Sequence, residues 1–307
     1  MPTFTLAMAQ MLVEGGERDR NLARACEMIA RAAAEGCAAV VLPEALDVGW
    51  THPSAREMAE TIPGPSSDRL ASAASDAGVY VVAGLTERDA PRVYNAAILI
   101  SPRGEILLKH RKINILDIAR DTYAIGDSLS VAETELGCIA IPICADNFPS
   151  SLVLGHSLGR MGAQMILSPC AWAVPRDNDN QAKPYGDLWR TAYGELARAH
   201  DMYVIGVSNV GWIEGGPWGG AVGAQFAQRT AKPPGACGSA AQRSVARRGR
   251  GGEGRQCIGC SLAMAPGGEI IAQGPYGVDA DELMVVEVTT AMRAGPAGAV
   301  GGCESSR

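Results

Sequence analysis

Aromatic residues are scarce: Phe, Trp and Tyr make up 5% of the 307 residues. Core packing must therefore fall to Ala, Val, Ile and Leu, in a chain that is 47% hydrophobic and long enough to bury a sizeable core. No apolar run reaches the roughly 18 residues a membrane-spanning helix needs, so no such helix is expected. The first residues lack a basic n-region, and Gln10 and Glu14 interrupt their apolar stretch; they read as a first strand, not a secretory signal. An excess of positive charge is also missing. The net charge of −6 argues against general binding to nucleic acid or a membrane surface and fits a soluble cytoplasmic protein. Histidines number only 4, and His52, His110, His156 and His200 follow no metal-ligand spacing. They read as structural or exposed, and no metal site is expected. Cysteine is not scarce, but the 9 cysteines are odd in number and irregularly spaced, in a chain too large to need a disulfide framework. Reduced thiols are expected, and the question becomes which of them is reactive.

Along the chain, strands and helices alternate. Residues 3–11 form an apolar strand. Residues 18–35 have helical periodicity, with Leu22, Ala25, Met28, Ile29 and Ala32 on one face and Gly36 just past the end. Strands follow at 38–42 and 79–85, a helix at 65–77, and a hairpin of 96–100 with 105–110 around Pro102-Arg103-Gly104. Further strands are expected at 129–132, 138–143, 165–168, 203–208, 261–265 and 269–273, and helices at 151–162 and 183–200. This mixture predicts an α/β fold with two sheets covered by helices. Residues 219–256 break the pattern. They are rich in Gly, Ala, Arg and Ser, and carry Arg229, Lys232, Arg243, Arg247, Arg248, Arg250 and Arg255 against one acid, Glu253. With few large apolar residues to bury, the stretch reads as a disordered basic insertion in a single domain of residues 1–290, and 291–307 as a flexible tail. A contact for an acidic partner, or an out-of-frame stretch of a GC-rich gene, are the other readings of that composition.

Three polar residues stand at the C-terminal ends of predicted strands, where open α/β sheets place ligands. Glu44 follows Val40-Val41-Leu42-Pro43, Lys112 follows the hairpin strand, and Cys144 follows Ile141-Pro142-Ile143. Singly, each has a plain explanation: a loop carboxylate, a surface lysine, a buried inert thiol. Together, in the order Glu, Lys, Cys, they resemble the catalytic trio of the nitrilase or carbon–nitrogen hydrolase superfamily. The likeness extends to Tyr94-Asn95-Ala96-Ala97, Pro102-Arg103-Gly104, Lys109 to Lys112, Gly126-Asp127, Gly162-Ala163, Pro169, Trp172, Ser208-Asn209 and Pro266-Gly267-Gly268-Glu269. The resemblance implies a four-layer αββα sandwich and a homodimer or larger assembly formed through the helices at 151–162 and 183–200. It also implies that the chain hydrolyses a C–N bond outside peptides, in a small linear amide or an N-carbamoyl compound. A nitrilase uses the same trio and is the nearest alternative. A catalytically silent, partner-binding member of the fold is the alternative from another class.

The chemistry suits those residue types. A cysteine thiol is only a few per cent ionised at neutral pH. A lysine ammonium favours the thiolate, and Glu44 can carry the proton from thiol to leaving amine. Lys112 and the backbone N–H of Ala145 can hold the oxyanion, and no cofactor is needed. Trp50 and Trp172, which follow the Glu and Cys strands, are the better placed tryptophans for lining a pocket, and Asn147 is a further substrate-binding candidate. Many members carry a second glutamate before the Gly-Asp pair. Residues 114–125 contain none, and Asp121 is the nearer substitute. The lone Cys257-Ile258-Gly259-Cys260 reads as core or loop cysteines, since no second pair accompanies it.

Overall fold

The computed structural model describes residues 3–213 and 255–290. Helix α1 (Arg18–Ala34) turns Leu22, Ala25, Met28, Ile29 and Ala32 inward, the face its periodicity predicts. Each large side chain on it contributes about 1.5–3 kcal/mol by leaving water. Helix α3 (Pro65–Ala77), which follows the single turn α2 (Ala55–Met58), starts on a proline whose missing N–H is not needed there. It stops at Gly78, whose φ of +66° lets the chain reverse while the Val79 N–H returns to the Ala74 carbonyl.

The first sheet joins β1 (Thr3–Gln10), β2 (Ala39–Val41), β3 (Tyr80–Asp89), β4 (Arg92–Ile100) and β5 (Ile106–Arg111), with the last strand, β15 (Glu282–Thr289), antiparallel to β1. The second sheet holds β6 (Ala132–Thr134), β7 (Gly137–Ala140), β8 (Met165–Cys170), β10 (Tyr203–Ser208), β13 (Leu262–Met264) and β14 (Ile270–Gln273). A small third sheet pairs β9 (Ala173–Pro175) and β11 (Val210–Trp212) with β12 (Arg255–Ile258).

Strand alternation divides the interior into layers. On β1, Leu6 and Met8 face the second sheet in one core, while Ala7 and Ala9 face α1 and α3 in another. Behind the second sheet, α4 (Leu152–Arg160) and α5 (Asp187–His200) add Leu158, Trp189, Tyr193 and Leu196 to the first core. The result is the expected αββα sandwich.

The structure adjusts several expected boundaries. Helix α5 begins at Asp187 and not at 183, because Pro184 and Gly186, with φ at +122°, hold the chain out of helical geometry. The strand expected over 138–143 ends at Ala140, and Ile141 to Ile143 run on as a bridge that includes Pro142, which cannot donate to a ladder. Arg255 and Gln256, counted with the basic insertion from composition, are strand residues opposite Pro175 and Val174. The rest of the insertion and the tail lie outside the described residues.

Candidate active site

Glu44, Lys112 and Cys144 come together at one end of the sandwich, just past β2, β5 and β7. Each is buried: Glu44 is 0% exposed, Lys112 2% and Cys144 6%. Burying an acid and an amine would be costly unless they were paired, and they are. Lys112 Nζ donates to Glu44 Oε1 at 2.5 Å, and Asn95 Nδ2 donates to the same oxygen at 2.6 Å. Glu44 Oε2 is buried and has no partner among the described residues.

Local geometry makes room for Glu44. Beneath it runs β3 at Gly84, where a Cβ would stand 2.5 Å from the Glu44 Cα. A glycine there allows the two backbones to touch. The Gly84 N–H reaches the Pro43 carbonyl at 3.0 Å, and the Glu44 N–H reaches the Cys170 carbonyl at 3.2 Å. Asp47, three residues on, accepts from the Thr86 N–H at 2.9 Å and ties the same loop to β3.

Cys144 opens a 3-10 turn, Cys144–Asn147, with φ at +43°. Its own N–H is held by Ser168 Oγ at 3.1 Å. The next N–H, that of Ala145, belongs to the first turn, whose donors lack intrahelical acceptors. Burial, a hydrogen bond with Cys170 and the Glu44 charge together push the Cys144 thiol well up, against the pull of Lys112. The expectation that lysine would favour the thiolate is thus met in sign but outweighed. Burial disfavours the Lys112 charge, but Glu44 and the groups around it more than compensate, so its pKa is raised.

The turn is fixed by a residue that sequence reasoning passed over. Asp146 is fully buried and accepts four hydrogen bonds. Oδ1 takes the N–H groups of Ile113 (3.0 Å) and Asn114 (2.7 Å); Oδ2 takes the Ile143 N–H (3.0 Å) and His110 Nε2 (2.8 Å). Burial opposes its charge, yet these donors hold its carboxyl below the usual range. An ionised carboxylate only accepts, so His110 Nε2 carries the proton. Asp146 thereby clamps the cysteine turn to the loop that starts at Lys112. Asn114 adds to the clamp by donating to the Ala145 carbonyl at 2.7 Å.

The other candidates divide. The Trp50 ring centre lies 5.9 Å from Lys112 Nζ, and its Nε1 is buried without a partner among the described residues. Asn147 donates to Ser168 Oγ at 3.1 Å, and its Oδ1 has no partner among the described residues. Trp172 stacks on Trp189 with centroids 4.7 Å apart, and its Nε1 is likewise buried and free among the described residues. Trp189, Tyr185 and Phe148 line a neighbouring cavity of about 380 Å³ with Asn178 and Lys183. Asp121 is not brought to the trio. It is exposed, and its carbonyl accepts from Arg56. The loop turns Ile115, Ala119 and Tyr123 inward instead, packed with Ala45 and Trp50. The Tyr123 hydroxyl, which accepts from the Thr51 N–H at 3.3 Å, is raised in pKa by burial and then by Asp47 and Glu44. Cys257 and Cys260 are buried free thiols, and no group of metal-ligand type appears among the described residues.

Layer order and strand order define a sandwich of the nitrilase type. The solved carbon–nitrogen hydrolase of Helicobacter pylori G27 superposes with a TM-score of 0.73 at 18% identity, covering 94% of this chain and 90% of its own. Saccharomyces cerevisiae Nit3, a member of branch 10 of the nitrilase superfamily, gives 0.68 at 21% identity, covering 93% and 89%. The chain belongs to the carbon–nitrogen hydrolase family, whose model matches residues 5–294. Omega-amidase NIT2 of Xenopus tropicalis is 35% identical over 182 residues, which is 56% of this chain and 65% of that protein. A nitrilase of Pyrococcus abyssi is 34% identical over 177 residues, 55% of this chain and 66% of its own length. The chain thus spans just under two thirds of these curated relatives.

Proposed function

We propose that the chain hydrolyses a non-peptide C–N bond of a small linear amide or N-carbamoyl compound through a thioester on Cys144. The observation that carries this is the divided carboxylate of Glu44. One oxygen is held by Lys112 and Asn95; the other is buried without a partner among the described residues, and the Glu44 charge acts on Cys144.

In this reading Glu44 Oε2 takes the thiol proton as Cys144 Sγ attacks the carbonyl carbon. Lys112 and the Ala145 N–H receive the developing oxyanion; one such donor is worth roughly 2.7–4 kcal/mol. Glu44 then protonates the departing ammonia or amine, and afterwards draws a proton from the water that opens the thioester. Trp50, Asn147 and Trp172, whose buried polar atoms lack partners among the described residues, would meet the substrate. Asp121 is exposed, and in this reading the buried Tyr123 hydroxyl, which feels the Asp47 and Glu44 charges, serves where relatives carry a second acid.

An amide is preferred to a nitrile because omega-amidases stand among the relatives, though the Pyrococcus relative is named a nitrilase. The free thiols suit a reducing, cytoplasmic setting. Helices α4 and α5, with Val153, Met161 and Leu188 exposed around them, are the faces through which a homodimer or larger assembly would form.

The test is ammonia release from a panel of small amides, N-carbamoyl amino acids and nitriles, with wild type and Cys144→Ala. We expect activity on amides or carbamoyl compounds that falls at least about 10³-fold in the variant. Activity retained by Cys144→Ala would refute the mechanism, and activity on nitriles alone would move the assignment to the second reading.

A further inference from the structure

The second thiol at the site has no part in the hydrolytic scheme. Cys170 closes β8 and is fully buried. Strands β7 and β8 run parallel, with Ile139 opposite Met165 and Ala140 opposite Ile166. Past those pairs the chain leaves β7 at Ala140, and the 3-10 turn that Cys144 opens packs against β8. Contacts at the strand ends agree. Ser168 Oγ accepts from the Cys144 N–H at 3.1 Å and lies 3.5 Å from Cys170 Sγ, so one hydroxyl touches both residues.

We propose that Cys144 and Cys170 form a peroxide-reactive pair, in which Cys170 is the resolving thiol that captures oxidised Cys144 as a reversible disulfide. The proposal rests on Cys144 being the reactive thiol of the function above. An active site that must admit water to a thioester also admits hydrogen peroxide, which is little larger. Glu44 takes the Cys144 proton and the sulfur attacks one peroxide oxygen. The O–O bond breaks, and the departing hydroxide leaves as water with that proton. Cys144 is then a sulfenic acid. The Cys170 sulfur attacks it, the S–S bond forms, the S–O bond breaks, and a second water leaves carrying the Cys170 proton. Two thiols are oxidised by two electrons, and one hydrogen peroxide is reduced to two waters. Without a resolving thiol, a sulfenic acid goes on to the irreversible sulfinic acid.

The test treats the full chain with hydrogen peroxide, blocks remaining thiols and digests with trypsin. The reader of the bond is mass spectrometry, which needs no substrate, so a failed amide assay leaves the result intact. We expect peptides 121–160 and 161–176 to be joined, with fragments placing the bond on Cys144 and not on Cys138, and to separate on reduction with dithiothreitol. In Cys170→Ala and Cys170→Ser, each first shown to melt like wild type, Cys144 should instead accumulate as sulfinic acid. The fraction of Cys144 thiol restored by dithiothreitol should then fall about tenfold. If one variant misfolds, the other carries the comparison. Sulfinic Cys144 in the wild type without a linked peptide, or equal recovery in wild type and variant, would overturn the proposal.

Discussion

Asp146→Asn tests whether the buried carboxylate clamps the cysteine turn. Asparagine keeps one acceptor oxygen for the Ile113 and Asn114 N–H groups. Its amide nitrogen, however, replaces Oδ2 and sets donor against donor at the Ile143 N–H, 3.0 Å away, and at His110, 2.8 Å away. Hydrogen bonds to a charged group are worth about 1.5–3 kcal/mol each. His110 can recover its bond by exchanging tautomers, so the loss is about 3 kcal/mol, or roughly 6–12 °C in melting temperature for a chain of this size. Activity should fall further than stability explains, because the turn carries Cys144 and the Ala145 N–H; a misplacement of about 1 Å costs on the order of 10²-fold. The assay is thermal unfolding by circular dichroism together with kcat at a temperature where both proteins are folded. The pH dependence has a definite sign. The Asp146 pKa is lowered by folding, so its contribution is complete above the ordinary value of 3.8 and fades as pH falls through the folded value. The gap between wild type and variant should therefore be constant at neutral pH and shrink in strong acid. A variant that melts within about 1 °C of wild type and keeps its kcat would refute the clamp.

Two further substitutions probe the ground beneath the trio. Gly84→Ala places a methyl 2.5 Å from the Glu44 Cα and 2.8 Å from the Pro43 carbonyl, so it should cost about 1–3 kcal/mol in a melting assay and displace Glu44 enough to lower kcat sharply. Lys112→Met removes the cation paired with the buried Glu44 and leaves Asn95 as its donor, an expected loss of about 3–5 kcal/mol by chemical denaturation, and adding Glu44→Gln should restore part of it. Because the Lys112 pKa is raised by folding, the pair's contribution should hold constant up to the ordinary lysine value of 10.5 and decline only at higher pH.

The trio was legible because a polar residue directly after an apolar strand is conspicuous, and three such ends converge in an α/β sandwich. Asp146 escaped notice for a physical reason. Its partners at 110, 113 and 114 are more than thirty positions away, and sequence alone does not show that His110 is buried. Asp121 was the nearest carboxylate in sequence, but the short 3-10 helix Asp117–Ala119 points Ala119 inward and leaves Asp121 in solvent. The lysine's effect on the thiol had the expected direction; its defeat by burial and by Cys170 required knowing that β8 ends against the cysteine turn. Strand β15 was missed since Glu282, Leu283, Met284, Val285, Val286 and Glu287 do not alternate cleanly, and its pairing with β1 supplies the order that composition does not.

That pairing also has a consequence for how the chain is made. Strand β1 holds β2 along only three residues, Leu6 to Met8, but β15 along all eight, from Thr3 with Thr289 to Gln10 with Glu282. During synthesis β1 therefore leaves the ribosome long before its main partner, which is made only after the rest of the sandwich. Closing so long a loop is slow compared with forming local contacts. Until it closes, the N–H and C=O groups along one side of a mostly apolar strand stand open, a template on which another chain's strand can add. Premature termination before residue 282 should thus yield aggregates and not a smaller soluble domain, and folding chaperones would find their handle at β1.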